Sequence, residues 1–242
     1  MRFPEPLSRG RLVRRYKRFL ADVVLDDGRV VTAHCANTGA MLGCDRPGAR
    51  VWLSRQDRPG RKLPWTWELV EAQPGILVGI HTGRTNDLVA EALRRGRIPR
   101  LAGYPAVRRE VVIGEGRVDF LLSSPRRRDC VLEVKNVTAA VREGIALFPD
   151  AVSTRATRHL GLLADQAARG RRAVLLFCVQ RRDVREVRPA DEIDPAYGRA
   201  VREAKAAGVE LMAWGCTVAP RGVALERRLR VRLPRPPAGG VI

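Results

Sequence analysis

The chain has 242 residues, of which 45 are Lys or Arg and 26 are Asp or Glu, giving a net charge of +19. This length suffices to bury a core in one domain or two, and the positive charge favours a polyanionic partner, most simply a nucleic acid. A basic surface that meets only solvent is the alternative. The five cysteines include no C-x-x-C pair, which argues against both a disulfide framework and a zinc site.

Membrane and secretory signals are also missing from the sequence. No stretch is apolar for long enough to cross a bilayer, and the opening residues, MRFPEPLSRGRLVRR, lack the apolar segment of a secretory signal. We therefore expect a cytoplasmic protein that has no membrane partner.

The first third of the chain alternates short apolar runs with turn residues. Apolar runs lie on both sides of Asp27 and Gly28, and an Asp-Gly pair in that setting predicts a tight hairpin. Five or six short strands without a convincing helix predict a small all-β barrel of the OB type over residues 1–82.

Two basic loops of this barrel are suited to following a phosphate backbone. One contains the sequence RRYKR, and the other is the predicted hairpin tip RQDRPGRK. The candidate nucleic-acid contacts in these loops are Arg14, Arg15, Lys17, Arg18 and Lys62. Two solvated loops that bind nothing are the alternative.

Beyond residue 82 the apolar spacing becomes helical. Asn86 or Asp87 is predicted to cap a helix that ends at Gly96, with Glu91 on the flank of its apolar stripe. From there the order is helix, three strands, helix, strand, helix, strand. This order predicts a C-terminal α/β domain with a mixed central sheet over residues 83–242, with a Pro- and Gly-rich tail that is loosely ordered from about residue 232.

The second helix of this domain has two distinct faces. Ser153 or Thr154 is predicted to cap it, and an apolar stripe marks its buried side. A second stripe contains Arg155, Arg158 and His159, which would suit the phosphates of a substrate. An ordinary solvated face is the alternative.

The main candidate site lies in two neighbouring apolar runs that carry charge. Asp119 lies in the first run, and Glu133 and Lys135, which share one face of a strand, lie in the second. An ionised carboxylate in a buried strand is costly unless it is paired or binds a cation. The pattern D-x13-E-x-K is that of the PD-(D/E)xK nuclease core. It predicts Mg²⁺ or Mn²⁺ bound by Asp119, Glu133 and the Val134 carbonyl, with Glu91 as a further candidate ligand and Lys135 as the catalytic lysine. A buried charge cluster without a metal is the alternative.

Several stretches along nearly the whole chain resemble the sugar fermentation stimulation protein family. The stretches are RYKRFLADV, HCANTGAMLGC, TWEL, VDFLL, EVKNVT and FPDAVSTR. The resemblance implies an α/β protein overall, with an N-terminal OB-type barrel joined to a C-terminal PD-(D/E)xK nuclease-like domain. It also implies DNA binding and a link to the regulation of sugar (maltose) metabolism.

Two functions are consistent with these features. The first is a DNA-binding protein, largely indifferent to sequence, with an intact divalent-metal phosphodiesterase site. The second is a non-catalytic DNA-binding regulator that retains the nuclease fold. A sugar-binding enzyme is disfavoured, because aromatic residues make up only 5% of the chain. The sequence leaves open DNA against RNA, the strandedness of the substrate and whether the chain forms a homo-oligomer.

Overall fold

The N-terminal part of the protein is a closed barrel. The computed structural model describes residues 1–57, 59–114, 116–140 and 143–234. Strands β1 to β6 are Ser8–Tyr16, Leu20–Leu25, Val30–Cys35, Arg50–Arg55, Trp65–Gln73 and Ile76–Gly79. Strand β1 pairs with both β2 and β4, and a parallel pairing of β3 with β5 closes the circle, so that β1 to β5 form a five-stranded barrel extended by β6. The predicted OB-type barrel is confirmed.

The predicted hairpin between β2 and β3 has its turn at the Asp-Gly pair. Gly28 has a φ of +85°, a conformation that glycine adopts without strain, and its N–H donates to the carbonyl of Leu25 at 2.9 Å. Side chains of β2 then alternate between the barrel interior and its outside. The Asp-Gly turn and the alternation of side chains along β2 therefore determine together which residues of β2 and β3 pair.

The C-terminal part is a mixed eight-stranded sheet with helices on both faces. Strands β7 to β14 are Ala106–Ile113, Gly116–Ser124, Arg127–Val137, Ile145–Phe148, Arg172–Val179, Glu186–Pro189, Glu210–Ala219 and Gly222–Val231. Their order across the sheet is β10-β12-β14-β13-β11-β9-β8-β7. Helices α1 to α3 are Thr85–Arg94, Thr154–Ala168 and Pro195–Ala206. The predicted α/β domain with a mixed sheet is confirmed, with β10, β12 and β14 as additional strands.

The helices explain why apolar and polar residues do not alternate along the central strand β11. Leu88 and Val89 of α1 pack on one face of the sheet, while Leu160 of α2 and Val201 of α3 pack on the other. Both faces of β11 are therefore covered, and seven of its eight residues are buried.

The start of α1 differs from the prediction. The helix begins at Thr85, its N-cap residue is Arg84, and that residue makes no side-chain capping bond. The prediction that Asn86 or Asp87 caps it is wrong, because both lie inside the first turn and Asn86 uses its side chain for a tertiary contact described below.

The cap of α2 is as predicted, since Ser153 accepts a hydrogen bond from the N–H of Ala156 at 3.2 Å.

Buried polar contacts join the two parts of the chain. Glu68 of β5 is 1% exposed and pairs with Arg84, which lies just before α1. Asp150 of the C-terminal part accepts a hydrogen bond from the N–H of Met41 at 2.9 Å. A Cβ at Gly39 would lie 2.5 Å from the Asp150 carboxylate, so any larger residue at this position would have to displace that side chain. The N-terminal residues also contact the C-terminal part of the chain, since Phe3 packs in the core between α1 and the sheet.

Two parts of the sequence-based prediction cannot be compared with the structure. The tail beyond residue 234 lies outside the described residues, and so does residue 58 of the predicted hairpin tip. Within the described residues, no helix combines the length and the apolar character that a membrane crossing requires.

Candidate metal and nucleic-acid site

The three residues of the D-x13-E-x-K pattern meet at one point of the sheet. Asp119 lies on β8, and Glu133 and Lys135 lie on the adjacent strand β9. The Oδ2 atom of Asp119 accepts a hydrogen bond from the backbone N–H of Val134 at 2.7 Å, which brings Asp119 beside Glu133. Lys135 Nζ donates to Glu133 Oε1 at 2.7 Å, and these side chains are only 11% and 4% exposed. The antiparallel pairing of β8 with β9 therefore places Asp119 close to Glu133 and Lys135, which are distant from it in the sequence.

The two carboxylates of this cluster have opposite electrostatic environments. Burial and then the negative charge of Glu133 raise the pKa of Asp119, against the opposing effects of the Val134 N–H, Asn86 and Lys135. Burial also disfavours ionised Glu133, but contacts with His159 and Lys135 outweigh it and lower the pKa of Glu133. Asp119 is therefore the carboxylate whose negative charge is poorly compensated.

Helix α1 supplies a residue that the sequence does not assign to the site. Asn86 Nδ2 donates to Asp119 Oδ1 at 2.9 Å and to Glu110 Oε1 at 3.2 Å. Glu110 itself has a φ of +52°, which is unfavourable for a residue with a Cβ. It lies where the β7–β8 pairing skips a position opposite Asp119. The only signal in the sequence is a polar residue at the start of the helix, which also fits a cap.

Helix α2 supplies a further contact. His159 Nδ1 is hydrogen-bonded to Glu133 Oε1, the oxygen that also accepts from Lys135. The polar stripe predicted for α2 thus contacts the carboxylate cluster through His159. The sequence predicts only substrate phosphates as partners of His159, whereas the structure places it against Glu133.

A cationic groove extends from this point between α2 and the β7–β8 hairpin. It has a volume of about 1200 Å³, and among the described residues its basic lining is Arg117, Arg155, Arg158, His159 and Arg169. Arg117 pairs with Glu110 at 3.2 Å, whereas the guanidinium groups of Arg155 and Arg158 have no partner in the described part of the chain. The structure therefore brings the predicted cations of α2 into one cavity with His159.

Two predicted residues are engaged elsewhere and need correction. The carboxylate of Glu91 forms ion pairs with the amino group of Met1 at 2.7 Å and with Arg95 at 3.3 Å. Asn86, not Glu91, is the α1 residue that reaches Asp119. Because these ion pairs hold the Glu91 carboxylate, we withdraw it as a metal ligand.

Arg15 needs the second correction. Its side chain is 9% exposed and donates to the carbonyls of Asn37 and Gly39 at 2.9 and 2.8 Å. Its guanidinium group therefore holds the HCANTG loop in place and cannot reach a phosphate, so we withdraw it from the candidate contacts.

The other basic residues of the barrel remain at the surface. Lys17 and Arg18 form an exposed turn with φ values of +50° and +62°, and Lys62 is also exposed. Arg14 is exposed as well, although it donates to Asp22 at 2.9 Å. These four side chains are accessible to a nucleic acid.

The carboxylate cluster is not a complete metal site by itself. Among the residues that the structure describes, no three His, Cys, Asp or Glu side chains are grouped so that they could hold a metal ion. A bound ion would need oxygen ligands from the backbone, water or a substrate.

Fold and candidate site together define an OB barrel fused to a mixed α/β domain that holds a cluster of two carboxylates and a lysine. Family models support this division: "SfsA N-terminal OB domain" matches residues 13–80, and "Sugar fermentation stimulation protein RE domain" matches residues 83–222. The chain belongs to the sugar fermentation stimulation protein family.

Curated relatives and a solved structure agree with this assignment. Sugar fermentation stimulation protein homologs from Alkalilimnicola ehrlichii and Thioalkalivibrio sulfidiphilus are 58% and 56% identical to this chain. Each alignment covers 97% of this chain, and 100% and 99% of the respective relative. A solved structure, described as Pyrococcus furiosus SfsA in complex with Ca²⁺, is 26% identical with a TM-score of 0.87. That match covers 96% of this chain and 98% of the other.

Proposed function

We propose that the protein binds DNA with little regard to sequence and cleaves it at a divalent-metal phosphodiesterase site. One observation carries this proposal: the Asp119–Glu133–Lys135 cluster is joined, through the contact of Glu133 with His159, to the cationic groove along α2. Cations that contact phosphates fix the position of a nucleic acid without reading its sequence. Such a protein would act where DNA is found, in the cytoplasm.

The donor set fits a hard divalent cation. Asp119, Glu133 and the carbonyl of Val134 would hold Mg²⁺ or Mn²⁺, and both ions accept water and phosphate oxygens for their remaining positions. A cation would also offset the burial and the negative charge of Glu133, which together raise the pKa of Asp119. The Pyrococcus furiosus relative is described in complex with Ca²⁺, a cation that likewise prefers oxygen ligands. When bound, the ion would stabilise negative charge on the scissile phosphate and acidify a water molecule.

Side chains and backbone groups of the protein would orient the attacking water, bind phosphates and fix the position of the metal ligands. Lys135, whose Nζ lies 2.7 Å from Glu133 Oε1, would donate a hydrogen bond that orients the attacking water and favours its deprotonation. Asn86 and the Val134 N–H would fix the orientation of the Asp119 carboxylate. Arg155 and Arg158 would bind phosphates flanking the scissile bond.

The barrel would add phosphate contacts at a distance from the cleavage site. Its accessible candidates are Arg14, Lys17, Arg18 and Lys62. Binding through these side chains would fall steeply with salt concentration, as for other backbone contacts.

A regulator that binds DNA without cleaving it is the second candidate. Glu133 already accepts hydrogen bonds from Lys135 and His159, so half of the cluster is satisfied without a cation. The C-terminal domain would then contribute only a surface whose shape and charge suit DNA. The role in sugar metabolism that the family name suggests belongs to this alternative.

A cleavage panel separates the two candidates. Wild type and Asp119→Asn would be incubated with end-labelled single-stranded DNA, duplex DNA, branched DNA and RNA, in Mg²⁺ or Mn²⁺ and again with a chelator. We expect wild type to cleave at least one substrate in the presence of a metal, with neither the chelated protein nor the variant doing so. Binding of DNA by wild type without any cleavage would favour the regulator.

The groove along α2 gives a second test of the proposal. Replacing Arg155 and Arg158 with Gln is expected to weaken binding to every DNA sequence about equally. The slope of log K against log salt should flatten by about 0.9 for each phosphate that the protein no longer neutralises. The double variant Arg126→Gln/Arg128→Gln, which removes the same charge from the exposed end of the β8–β9 hairpin, is the matched control. Equal slopes for the two variants would place the DNA elsewhere.

Asn86 gives a test that needs no metal. Replacing it with Ala removes a hydrogen bond to Asp119 Oδ1, so the pKa of Asp119 should rise further. The chemical shift of the Asp119 carboxyl carbon, followed by NMR against pH, measures this change. Asp87→Ala is the control, because Asp87 lies on the same helix turn but pairs with Arg109 at 2.8 Å. An unchanged Asp119 pKa would show that Asn86 does not hold this carboxylate.

A further inference from the structure

A second groove lies far from the carboxylate cluster, beside the strands β13 and β14. It has a volume of about 970 Å³ and is bounded on one side by Pro99 and Arg100, which follow α1. Besides Arg100, four basic side chains line it: Lys205, Arg228, Arg230 and Arg232. We call these four residues the β14 ridge.

The charges of the β14 ridge are not compensated within the described part of the chain. Within the residues that the structure describes, none of the four side chains forms a hydrogen bond or an ion pair. The lining also contains two carboxylates, but both are used by other arginines. Glu210 pairs with Arg172 and Arg100, each at 2.6 Å, and Glu186 pairs with Arg188.

The arginines of the β14 ridge are evenly spaced, which suits a polyanion with evenly spaced charges. Arg228, Arg230 and Arg232 lie at every second position of β14 and its immediate extension, and all three are exposed. Side chains two apart share one face of a strand and are separated by about 6.6 Å. The phosphates along one strand of DNA also recur at regular intervals, so a row of evenly spaced arginines can contact several phosphates of one backbone. Lys205, from the last turn of α3, adds a fourth charge.

The ridge is separate from the groove along α2. In the order of the sheet, β14 lies four strands away from β8, a distance of about 19 Å at the usual spacing between strands. The second groove is lined by Met212 and Trp214 from the core on the α1 face and by Leu211 and Leu229 from the core under α2 and α3. The linings of the two grooves have no residue in common.

We propose that the β14 ridge is a second binding surface for a DNA backbone, so that one chain holds two DNA segments. This inference rests on the proposed function only in taking DNA as the partner. Two surfaces separated by four strands of one sheet would let the protein hold two arms of a branched DNA, or two separate duplexes.

Binding stoichiometry tests this inference on the full chain. Calorimetric titration at low salt would use a hairpin duplex of about one helical turn, roughly 10 base pairs, with a chelator present to prevent cleavage. We expect wild type to bind two duplexes and Arg228→Gln/Arg230→Gln to bind one. Arg228→Lys/Arg230→Lys keeps the charge and should still bind two, as should the control Arg126→Gln/Arg128→Gln.

The variants distinguish the ridge from the α2 groove. Arg155→Gln/Arg158→Gln should also reduce the stoichiometry from two to one, because it removes the other site. If only the ridge variant binds one duplex fewer, the inference stands and the α2 groove of the proposed function is wrong. Wild type that binds a single duplex, or a ridge variant that still binds two, would overturn the inference.

Discussion

Replacing Asp119 with Asn or Glu133 with Gln is expected to weaken divalent-ion binding and to reduce any nucleic-acid cleavage by on the order of 10³-fold or more. Both changes remove a charged oxygen ligand while keeping the shape of the side chain. Replacing Lys135 with Ala should stop cleavage to a similar extent but leave ion binding in place. Its ammonium group is proposed to act on water and phosphate, so it contributes nothing to holding the ion.

Cleavage rates and ion titrations on the same three variants measure these separate roles. Asp129→Asn is the matched control, because Asp129 lies on β9 with Glu133 but outside the cluster. It should retain both activities. If Lys135→Ala abolished ion binding together with cleavage, Lys135 would be maintaining the geometry of the site, and its assignment to the water would be wrong.

The second large effect concerns the buried ion pair between the two parts of the chain. Replacing Arg84 with Met should lower the free energy of unfolding by about 3–5 kcal/mol, since it leaves the buried carboxylate of Glu68 without its cation. Ser54 Oγ, which donates to Glu68 Oε1 at 2.7 Å, compensates only in part. Denaturation by urea, followed by fluorescence and circular dichroism, measures the decrease.

Two further variants show whether the buried charge causes this effect. Arg94→Met removes an exposed guanidinium group from the end of α1 and should change stability little. Adding Glu68→Gln to Arg84→Met removes the unpaired charge and should restore part of the stability. A decrease in Arg84→Met no greater than that in Arg94→Met would mean that the pair does not stabilise the junction.

The strands and the carboxylate cluster were predictable because they depend on short-range patterns. An Asp-Gly turn between apolar runs defined the β2–β3 hairpin, and the two-residue period of β9 placed Glu133 and Lys135 on one face. Adjacent strands joined by a short turn then had to bring Asp119 beside them. These features need only the geometry of a hairpin.

The contacts that complete the site depend on how distant elements pack. Asn86 fits the pattern of a helix cap, and only the position of α1 against β8 shows that it binds Asp119. Arg15 and Arg14 are equally basic in the sequence, but the fold buries one against loop carbonyls and leaves the other exposed. Glu91 was a reasonable candidate on the flank of α1, yet the amino group of Met1 reaches it through tertiary structure.

Calorimetric titration of the wild-type protein with Mg²⁺ or Mn²⁺, in the presence of a DNA duplex, tests the central proposal most directly. The proposed site predicts saturable binding of a divalent ion at millimolar concentration or below, which Asp119→Asn and Glu133→Gln should weaken and Asp129→Asn should not. Wild-type protein that binds DNA but takes up no divalent ion at millimolar concentration would contradict the phosphodiesterase function and leave the DNA-binding regulator in its place.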